Sequence, residues 1–159
     1  MERIDIICVG TLKEKAMREI VAEYVKRLGR FCKIQITELA EKRLDDESNE
    51  TQIQKILEQE GENMLRAVPD DAFKIALCIE GAGCSSEKFA KKMERGFEKS
   101  GKVAFFIGSS HGMSDRVKNV CDLRFSMSEL TFPHQLARCM LVEQIYRTYK
   151  IRRGESYHK

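Results

Sequence analysis

The stretch "KVAFFIGSSHGMS", Lys102 to Ser114, carries the strongest signal for the fold. Its first half is the most apolar run of the chain and is typical of a buried β-strand, and it ends directly in a turn rich in glycine and serine. A strand that is apolar on both faces needs cover on both sides of its sheet. The stretch therefore predicts a parallel sheet between two layers of helices, with a ligand-binding loop where this strand ends.

Strand and helix patterns alternate along the rest of the chain. Strands are predicted over residues 4–9, 33–39, 73–81 and 123–127. Helices are predicted over residues 12–28, 51–67, 115–120, from Ser85 or Ser86 to about Gly101, and from Pro133 onward. This alternation favours an α/β domain with a mostly parallel sheet and helices on both faces.

Length and composition indicate one domain, residues 1–159, because the chain can bury a continuous core and contains no linker or repeat. Its 42% hydrophobic and 33% charged residues are typical of globular proteins. No apolar run approaches the roughly 18 residues of a membrane span, and the N-terminus lacks a secretion-signal pattern. We therefore expect a cytoplasmic protein with no membrane partner.

The six cysteines form no CxxC pair and mostly lie in apolar runs such as "IICVG" and "IALCIEG". A free cysteine behaves as a small hydrophobe in a core, so we interpret them as buried, reduced thiols. Zinc sites need closely spaced ligand pairs, and Cys78, Cys84 and His111 approximate one poorly. No metal is predicted.

Charge is distributed unevenly, although the net charge is only +3. Residues 38–62 carry nine acidic and three basic side chains, whereas residues 147–159 carry five basic side chains and one acidic. Two interpretations are open: both segments are solvated faces, or the basic end meets phosphates while the acidic side is turned away from them.

Three loops are placed to bind a ligand, because each follows a predicted strand and parallel sheets bind ligands at that edge. They read "IEGAGCSS" from Ile79, "IGSSHGMS" from Ile107 and "MSELTFPH" from Met127. None matches GxGxxG, GxxxxGK[ST] or GxSxG, which argues against kinases, dehydrogenases and lipase-like hydrolases. The loops contain few long charged side chains, so they favour a ligand held by backbone groups, such as an adenosine-containing cofactor. Ordinary turn glycines are the alternative.

Four stretches together resemble the ribosomal RNA large-subunit methyltransferase H family, in the SPOUT class of α/β-knot methyltransferases. They are "IDIICVGTLKE", "KILEQEGENML", "FFIGSSHGMSDRV" and "FSMSELTFPHQLARCMLVEQIYRTYKIRRGESYHK", and the resemblance extends from Met1 to Lys159. One departure is Ser109, which stands where family members usually carry a second glycine of the turn. A serine there would be strained if the position needs a positive φ.

The resemblance implies transfer of a methyl group from S-adenosylmethionine to N3 of a pseudouridine in the helix 69 loop of 23S ribosomal RNA, within the assembled ribosome. It also implies a C-terminal trefoil knot and a homodimer whose active site lies near the subunit interface; DNA is not an expected partner. Matching positions place the cofactor contacts on Leu77, Gly108, Met127, Ser128, Glu129, Leu130, Thr131 and Phe132.

The proposed chemistry selects further residues. An N3–H imide is a weak nucleophile until its proton leaves, so a general base or an anion-stabilising cation is expected. The candidates are His134, Arg138 and His158. In the tail, Tyr157 offers a stacking face, and Arg152, Arg153 and Lys159 offer phosphate partners, so these four residues are predicted to bind RNA.

The last helix carries apolar residues around much of its circumference, among them Leu136, Met140 and Ile145. We expect it to be buried nearly all round, by the core and by a partner subunit. Two other functions compete with the enzyme: a noncatalytic RNA-binding module and a small redox or nucleotide-binding α/β protein. Binding of S-adenosylmethionine separates the enzyme from the RNA module, and no flavin, nicotinamide or catalytic-thiol signature supports the other rival.

Overall fold

Five parallel strands and five helices make up the protein in the computed structural model, which describes residues 1–159. The strands are β1 (Arg3–Val9), β2 (Lys33–Leu39), β3 (Phe73–Ala82), β4 (Lys102–Ile107) and β5 (Leu123–Phe125), and they lie in the order β2-β1-β4-β3-β5. The helices are α1 (Lys15–Leu28), α2 (Glu50–Arg66), α3 (Ser86–Ser100), α4 (Asp115–Val120) and α5 (His134–Arg152). The predicted α/β fold with a parallel sheet is confirmed, while the trefoil knot stays a prediction.

The most apolar strand, β4, lies at the centre of the sheet, as its sequence requires. Phe105 faces the layer of α1, α3 and α5, and Phe106 faces the layer of α2 and α4, because successive side chains point to opposite faces of a strand. Both rings are completely buried. Two hydrophobic cores, one on each face of the sheet, therefore fix the positions of the strand ends.

Local signals set most of the boundaries. Ser85 caps α3, its side chain accepting a hydrogen bond from the Lys88 N–H, and Gly101 ends that helix at φ 70°. The predicted start of the first helix was three residues early. Residues 12–14 stay irregular because the Leu12 N–H donates to Glu38 and the Arg18 guanidinium donates to the Leu12 and Lys13 carbonyls.

The last helix, α5, is less buried than predicted. Leu141, Val142 and Ile145 are completely buried against the sheet and the neighbouring helices α1 and α3. Leu136 is 37% exposed and Met140 is partly exposed, beside the exposed Ile20 of α1. One apolar stripe of α5 is thus left uncovered in the single chain.

All six cysteines are free, and Cys8, Cys32 and Cys139 are buried. The prediction of burial was wrong for Cys78, Cys84 and Cys121, which are partly exposed. Burial raises the pKa of the Cys8 thiol to about 12, so it stays protonated at neutral pH. No helix of the structure is both long enough and apolar enough to cross a membrane.

Candidate active site

A cleft of about 920 Å³ opens at the carboxyl edge of the sheet. Three segments form its walls: residues 77–80 at the end of β3, the turn of residues 107–113 after β4, and residues 125–134 between β5 and α5. We call residues 108–113 the β4 turn. The convergence of strand ends in one cleft is the arrangement that the parallel sheet predicts.

Most of the positions predicted to contact the cofactor line this cleft. They are Leu77, Gly108, Met127, Ser128, Leu130, Thr131 and Phe132. Glu129 differs, because its side chain is exposed and it does not line the cleft. The loop after Ile79 contributes less than predicted: β3 continues to Ala82, and Gly81 packs on β5, where a β-carbon would lie 2.6 Å from the Phe125 carbonyl carbon.

The β4 turn is closed by two backbone hydrogen bonds, Ser109 N–H to the Gly112 carbonyl at 3.1 Å and Gly112 N–H to the Ser109 carbonyl at 2.9 Å. Gly112 is the residue that takes a positive φ, 94°. No residue other than glycine has a positive φ, so Ser109 is not strained. The concern about a serine at this position is removed, because the glycine three residues later supplies the left-handed conformation.

Two residues of the β5–α5 segment that line the cleft have unused backbone donors. The Thr131 and Phe132 N–H groups donate to nothing within the protein, whereas the Leu130 N–H donates to the Ser128 hydroxyl at 3.0 Å. Two apolar side chains flank them, Ile79 at 73% exposure and Leu130 at 70%. Free amide donors between exposed apolar surfaces suit a flat, polar-edged ligand such as adenine.

His134 lies at the rim of the cleft, at the first position of α5. Its Nε2 stands 3.6 Å from where a β-carbon on Gly10 would be, and the Glu41 carboxylate lies 3.4 Å from the same point. Gly10 has φ 100°, so the end of β1 turns sharply here. The Glu41 carboxylate also accepts a hydrogen bond from the Ser110 hydroxyl at 2.9 Å.

Arg138 lies one helical turn further and does not face the cleft. Its side chain is 2% exposed and donates to Glu38 Oε2 at 2.7 Å and to the Gly10 carbonyl at 3.1 Å, while its Nε has no partner. Arg138 therefore does not line the cleft of its own chain, and its catalytic role stays a prediction. The guanidinium ties α5 to the ends of β1 and β2, directly behind His134.

Replacing Arg138 with methionine should destabilise the protein by about 3 kcal/mol, because one partner of a buried ion pair is removed. Glu38, which is 38% exposed, can still be hydrated in that variant. Glu38→Gln should cost at least as much, because it leaves a buried guanidinium without a counter-charge. Urea unfolding measures both, and the double variant should cost less than the sum. Additive losses would contradict the coupling.

The C-terminal tail packs on its own chain rather than in the cleft. The Tyr157 hydroxyl donates to Glu143 at 3.1 Å, and its ring meets Tyr146 edge-on at 5.0 Å between centroids. His158 lies 2.6 Å from Glu87 and 3.1 Å from Arg147. Within one chain the three predicted catalytic residues are therefore not brought together: His134 lines the cleft, Arg138 lies behind it, and His158 lies elsewhere on α5 and α3.

The four predicted RNA-binding residues differ in exposure. Arg153 and Lys159 are exposed, and Tyr157 is partly buried. Arg152 is engaged within the protein: its guanidinium forms two 2.9 Å hydrogen bonds to Glu2 and lies over the rings of Phe97 and Tyr149. Arg152 is therefore ion-paired within the protein, and its contact with RNA stays a prediction.

Arg152→Ala should lower stability by about 1 kcal/mol, since it removes a partly exposed ion pair and a cation–π contact. Burial opposes ionisation of Glu2, but hydrogen bonds from Arg152 and Tyr149 outweigh it and lower the Glu2 pKa. Because the pKa of Glu2 is lower in the folded state than in the unfolded state, its ionised carboxylate stabilises the fold above the ordinary carboxylate pKa. This stabilisation is lost as the pH falls through the folded-state pKa. Denaturant unfolding from pH 7 to pH 3 should therefore show a smaller acid loss for Arg152→Ala than for the wild type.

The acidic segment, residues 38–62, does not as a whole form a solvated face turned away from the candidate active site. Glu38 and Glu41 lie beside the cleft, as described above, and Glu60 of α2 is only 4% exposed. Sequence reasoning also missed an ion pair in the cleft wall, Glu80 with Lys118. Charge counting could not find these residues, because their contacts join distant parts of the chain. No group of three His, Cys, Asp or Glu side chains is arranged to hold a metal.

Comparison with known sequences gives full-length matches. A family model described as "Predicted SPOUT methyltransferase" matches residues 2–158. The chain is 46% identical over 161 residues to the ribosomal RNA large subunit methyltransferase H of Streptococcus gordonii, and 43% identical over 158 residues to that of Bifidobacterium adolescentis. Each match covers 99% of both chains.

Comparison with solved structures supports the fold alone. A probable methylase family protein from Haemophilus influenzae matches 98% of this chain and 70% of its own, with a TM-score of 0.60 at 15% identity. A probable methyltransferase from Bordetella pertussis matches 92% of this chain and 96% of its own, with a TM-score of 0.58 at 12% identity.

Proposed function

Because the chain belongs to the ribosomal RNA large subunit methyltransferase H family, within the SPOUT methyltransferases, we propose that it methylates large-subunit ribosomal RNA. The methyl donor is S-adenosylmethionine. The acceptor is N3 of a pseudouridine in the helix 69 loop of 23S ribosomal RNA, in the assembled ribosome of the cytoplasm. The observation that carries the proposal is the cleft at the carboxyl edge of the sheet, walled by the same three segments that the family resemblance selected.

The cleft fits the cofactor in size and in chemistry. Its volume of about 920 Å³ lies in the range of sites for ligands of this size. The free N–H groups of Thr131 and Phe132 suit the polar edge of adenine, and Ile79 and Leu130 suit its faces. When bound, the sulfonium supplies an activated methyl group, so the protein has to orient it and to prepare the nucleophile.

Two histidines remain candidates for removing the N3 proton. His134 lines the cleft at the start of α5, within reach of a bound substrate. His158 would have to come from a second subunit, because it lies outside the cleft of its own chain. Arg138 would support proton removal by either histidine, because it holds the start of α5 against Gly10 and Glu38.

The homodimer is part of the proposal, since α5 offers a surface for it. Leu136 and Met140 lie four residues apart on the uncovered stripe, and beside them a groove of about 400 Å³ is lined by Ile20, Tyr24 and Met127, among others. Glu143 and Arg147 continue the same stripe and hold Tyr157 and His158. A second copy seated on this stripe would meet the tail directly.

Sedimentation at micromolar concentration should give a stable dimer, because obligate interfaces bury about 2,000 Å² or more. Met140→Glu should shift the protein toward monomer by placing a charge in that interface. As a matched control, Glu58→Lys alters an exposed position of α2 and should leave the dimer intact. A wild-type monomer near 18.4 kDa would contradict the proposal.

Mass spectrometry of ribosomal RNA from cells with and without the protein tests the reaction itself. The methylated pseudouridine should disappear in the deletion strain and return with the wild-type gene. Calorimetry with S-adenosylhomocysteine separates the enzyme from a noncatalytic RNA-binding module, which has no use for the ligand. Absence of binding by the dimeric wild type would remove the enzyme proposal.

A further inference from the structure

Helix α3 carries four basic side chains in a row along one flank. Intervals of four, three and four residues separate Lys88, Lys92, Arg95 and Lys99. At 3.6 residues per turn, this spacing places the four side chains within an arc of about 60° and over a length of about 16 Å. We call these four residues the α3 basic row. The acidic residues of the helix lie about 110° away around its axis, and they are Glu87, Glu94 and Glu98.

The α3 basic row has almost no counter-charge within the protein. Only its last member is paired: Lys99 lies 2.6 Å from Asp122. The side chains of the other three form no ion pair and no hydrogen bond, and two of them, Lys88 and Arg95, are exposed. The acidic flank of α3 faces α5 instead, where Glu87 lies 2.6 Å from His158 and Glu94 lies 3.8 Å from Arg152.

This arrangement of charge destabilises the helix that carries it. Like charges four residues apart repel each other, as Lys88 and Lys92 do here. Lys88 also lies in the first turn, directly after the Ser85 cap, where the helix dipole disfavours a cation. A solvated helix face is better served by opposite charges at this spacing, such as Glu23 and Arg27 of α1. Unpaired cations gathered along one flank of a helix therefore indicate an anionic partner outside the chain.

The α3 basic row begins beside the cleft. The groove of about 400 Å³ next to α5 is lined by Ser85 and Ser86, at the start of α3, together with Phe125 and Met127. Phe125 and Met127 also line the cleft. From this end the row runs to Asp122, which directly precedes the edge strand β5. A nucleic-acid strand that enters the cleft thus has cations for its adjoining phosphates along this flank.

We propose that the α3 basic row binds the phosphate backbone of ribosomal RNA outside the methylated loop. The inference rests on the proposed function, in which a nucleotide of that RNA enters the cleft. Contacts between phosphates and Lys or Arg supply affinity and fix orientation, and they do not read the base sequence. The row lies on the flank of α3 turned away from α5, so it forms an RNA surface separate from the C-terminal tail.

The test replaces the three unpaired cations of the row together, in the variant Lys88→Ala, Lys92→Ala and Arg95→Ala. At about 0.1 M salt it should bind purified ribosomes at least about tenfold more weakly than the wild type, and the slope of log affinity against log salt should fall by about three units. Its stability to urea should be unchanged or higher, because repulsion is removed and alanine favours a helix. A matched control removes three other exposed, unpaired cations away from α3 and should bind within about threefold of the wild type. It carries Lys26→Ala, Arg43→Ala and Lys55→Ala.

Kinetics and crosslinking identify what the row binds. The KM for ribosomes should rise with the dissociation constant, while kcat at saturating ribosomes and the affinity for S-adenosylhomocysteine stay within about twofold. A photocrosslinking residue in place of Lys91, which is exposed beside the row, should label ribosomal RNA. Equal ribosome binding by the two triple variants, or crosslinks to ribosomal protein alone, would overturn the inference. Failure of the wild type to methylate ribosomes would instead overturn the proposed function.

Discussion

Gly108→Ala should abolish measurable binding of S-adenosylmethionine, with a dissociation constant raised at least about 100-fold. A β-carbon on Gly108 would overlap the Gly112 carbonyl, whose carbon would lie only 2.7 Å away. The obstacle is backbone, so no side chain can rotate aside. The β4 turn would have to open, and the hydrogen bond from the Ser109 N–H to the Gly112 carbonyl would be lost. Calorimetry with S-adenosylhomocysteine measures the effect.

The added carbon would collide with the turn itself and not with the ligand. Gly83→Ala is a matched control, because its β-carbon would meet only the Ser126 carbonyl at an ordinary 3.7 Å. That variant should bind within about twofold of the wild type. If Gly108→Ala binds normally while remaining folded, the β4 turn does not hold the cofactor.

Deleting residues 157–159 should reduce methylation of ribosomes about 100-fold or more, as expected when a catalytic or substrate-positioning group is removed. The affinity for S-adenosylhomocysteine should stay within about threefold, because none of the three residues lines the cleft. Single-turnover methylation with purified ribosomes measures the rate, and calorimetry measures the affinity. His158→Ala and Tyr157→Phe divide the effect between the imidazole and the phenolic hydroxyl.

The two possible failures of this prediction have different meanings. Methylation at the full rate would make the tail a solvated end, packed on α5 and α3 only for stability. Loss of cofactor affinity would make it a cover for the cleft. Arg153→Ala is a matched comparison: this exposed cation should reduce the salt dependence of ribosome binding by about one unit of slope without changing cofactor affinity.

Local patterns were sufficient to predict the fold. The alternation in residues 33–39 predicted a half-buried strand, and β2 occupies those residues. The apolar run of β4 predicted a strand covered on both faces. Ser85 and Gly101 predicted the two ends of α3, because helix capping depends on residues only a few positions apart. Such signals are contained within one element, so one sequence suffices to find them.

The cleft could be predicted only in outline. The rule that parallel strands bind ligands at their carboxyl ends located the correct edge, and the family resemblance selected seven residues that line it. Neither could show that Glu129 faces solvent or that Gly112, in place of residue 109, takes the positive φ. Those features depend on how a loop packs against its neighbours.

The sequence by itself determined the order of strands and helices along the chain, most of their boundaries and the edge at which the cleft forms, because each follows from short-range periodicity and capping. The tertiary structure alone decided which charged side chains are paired within the protein. Arg138 pairs with Glu38 across 100 positions of the chain, and Arg152 pairs with Glu2 across 150. The energy of a charged group depends on its burial and its partners, and both are set by contacts between distant parts of the chain.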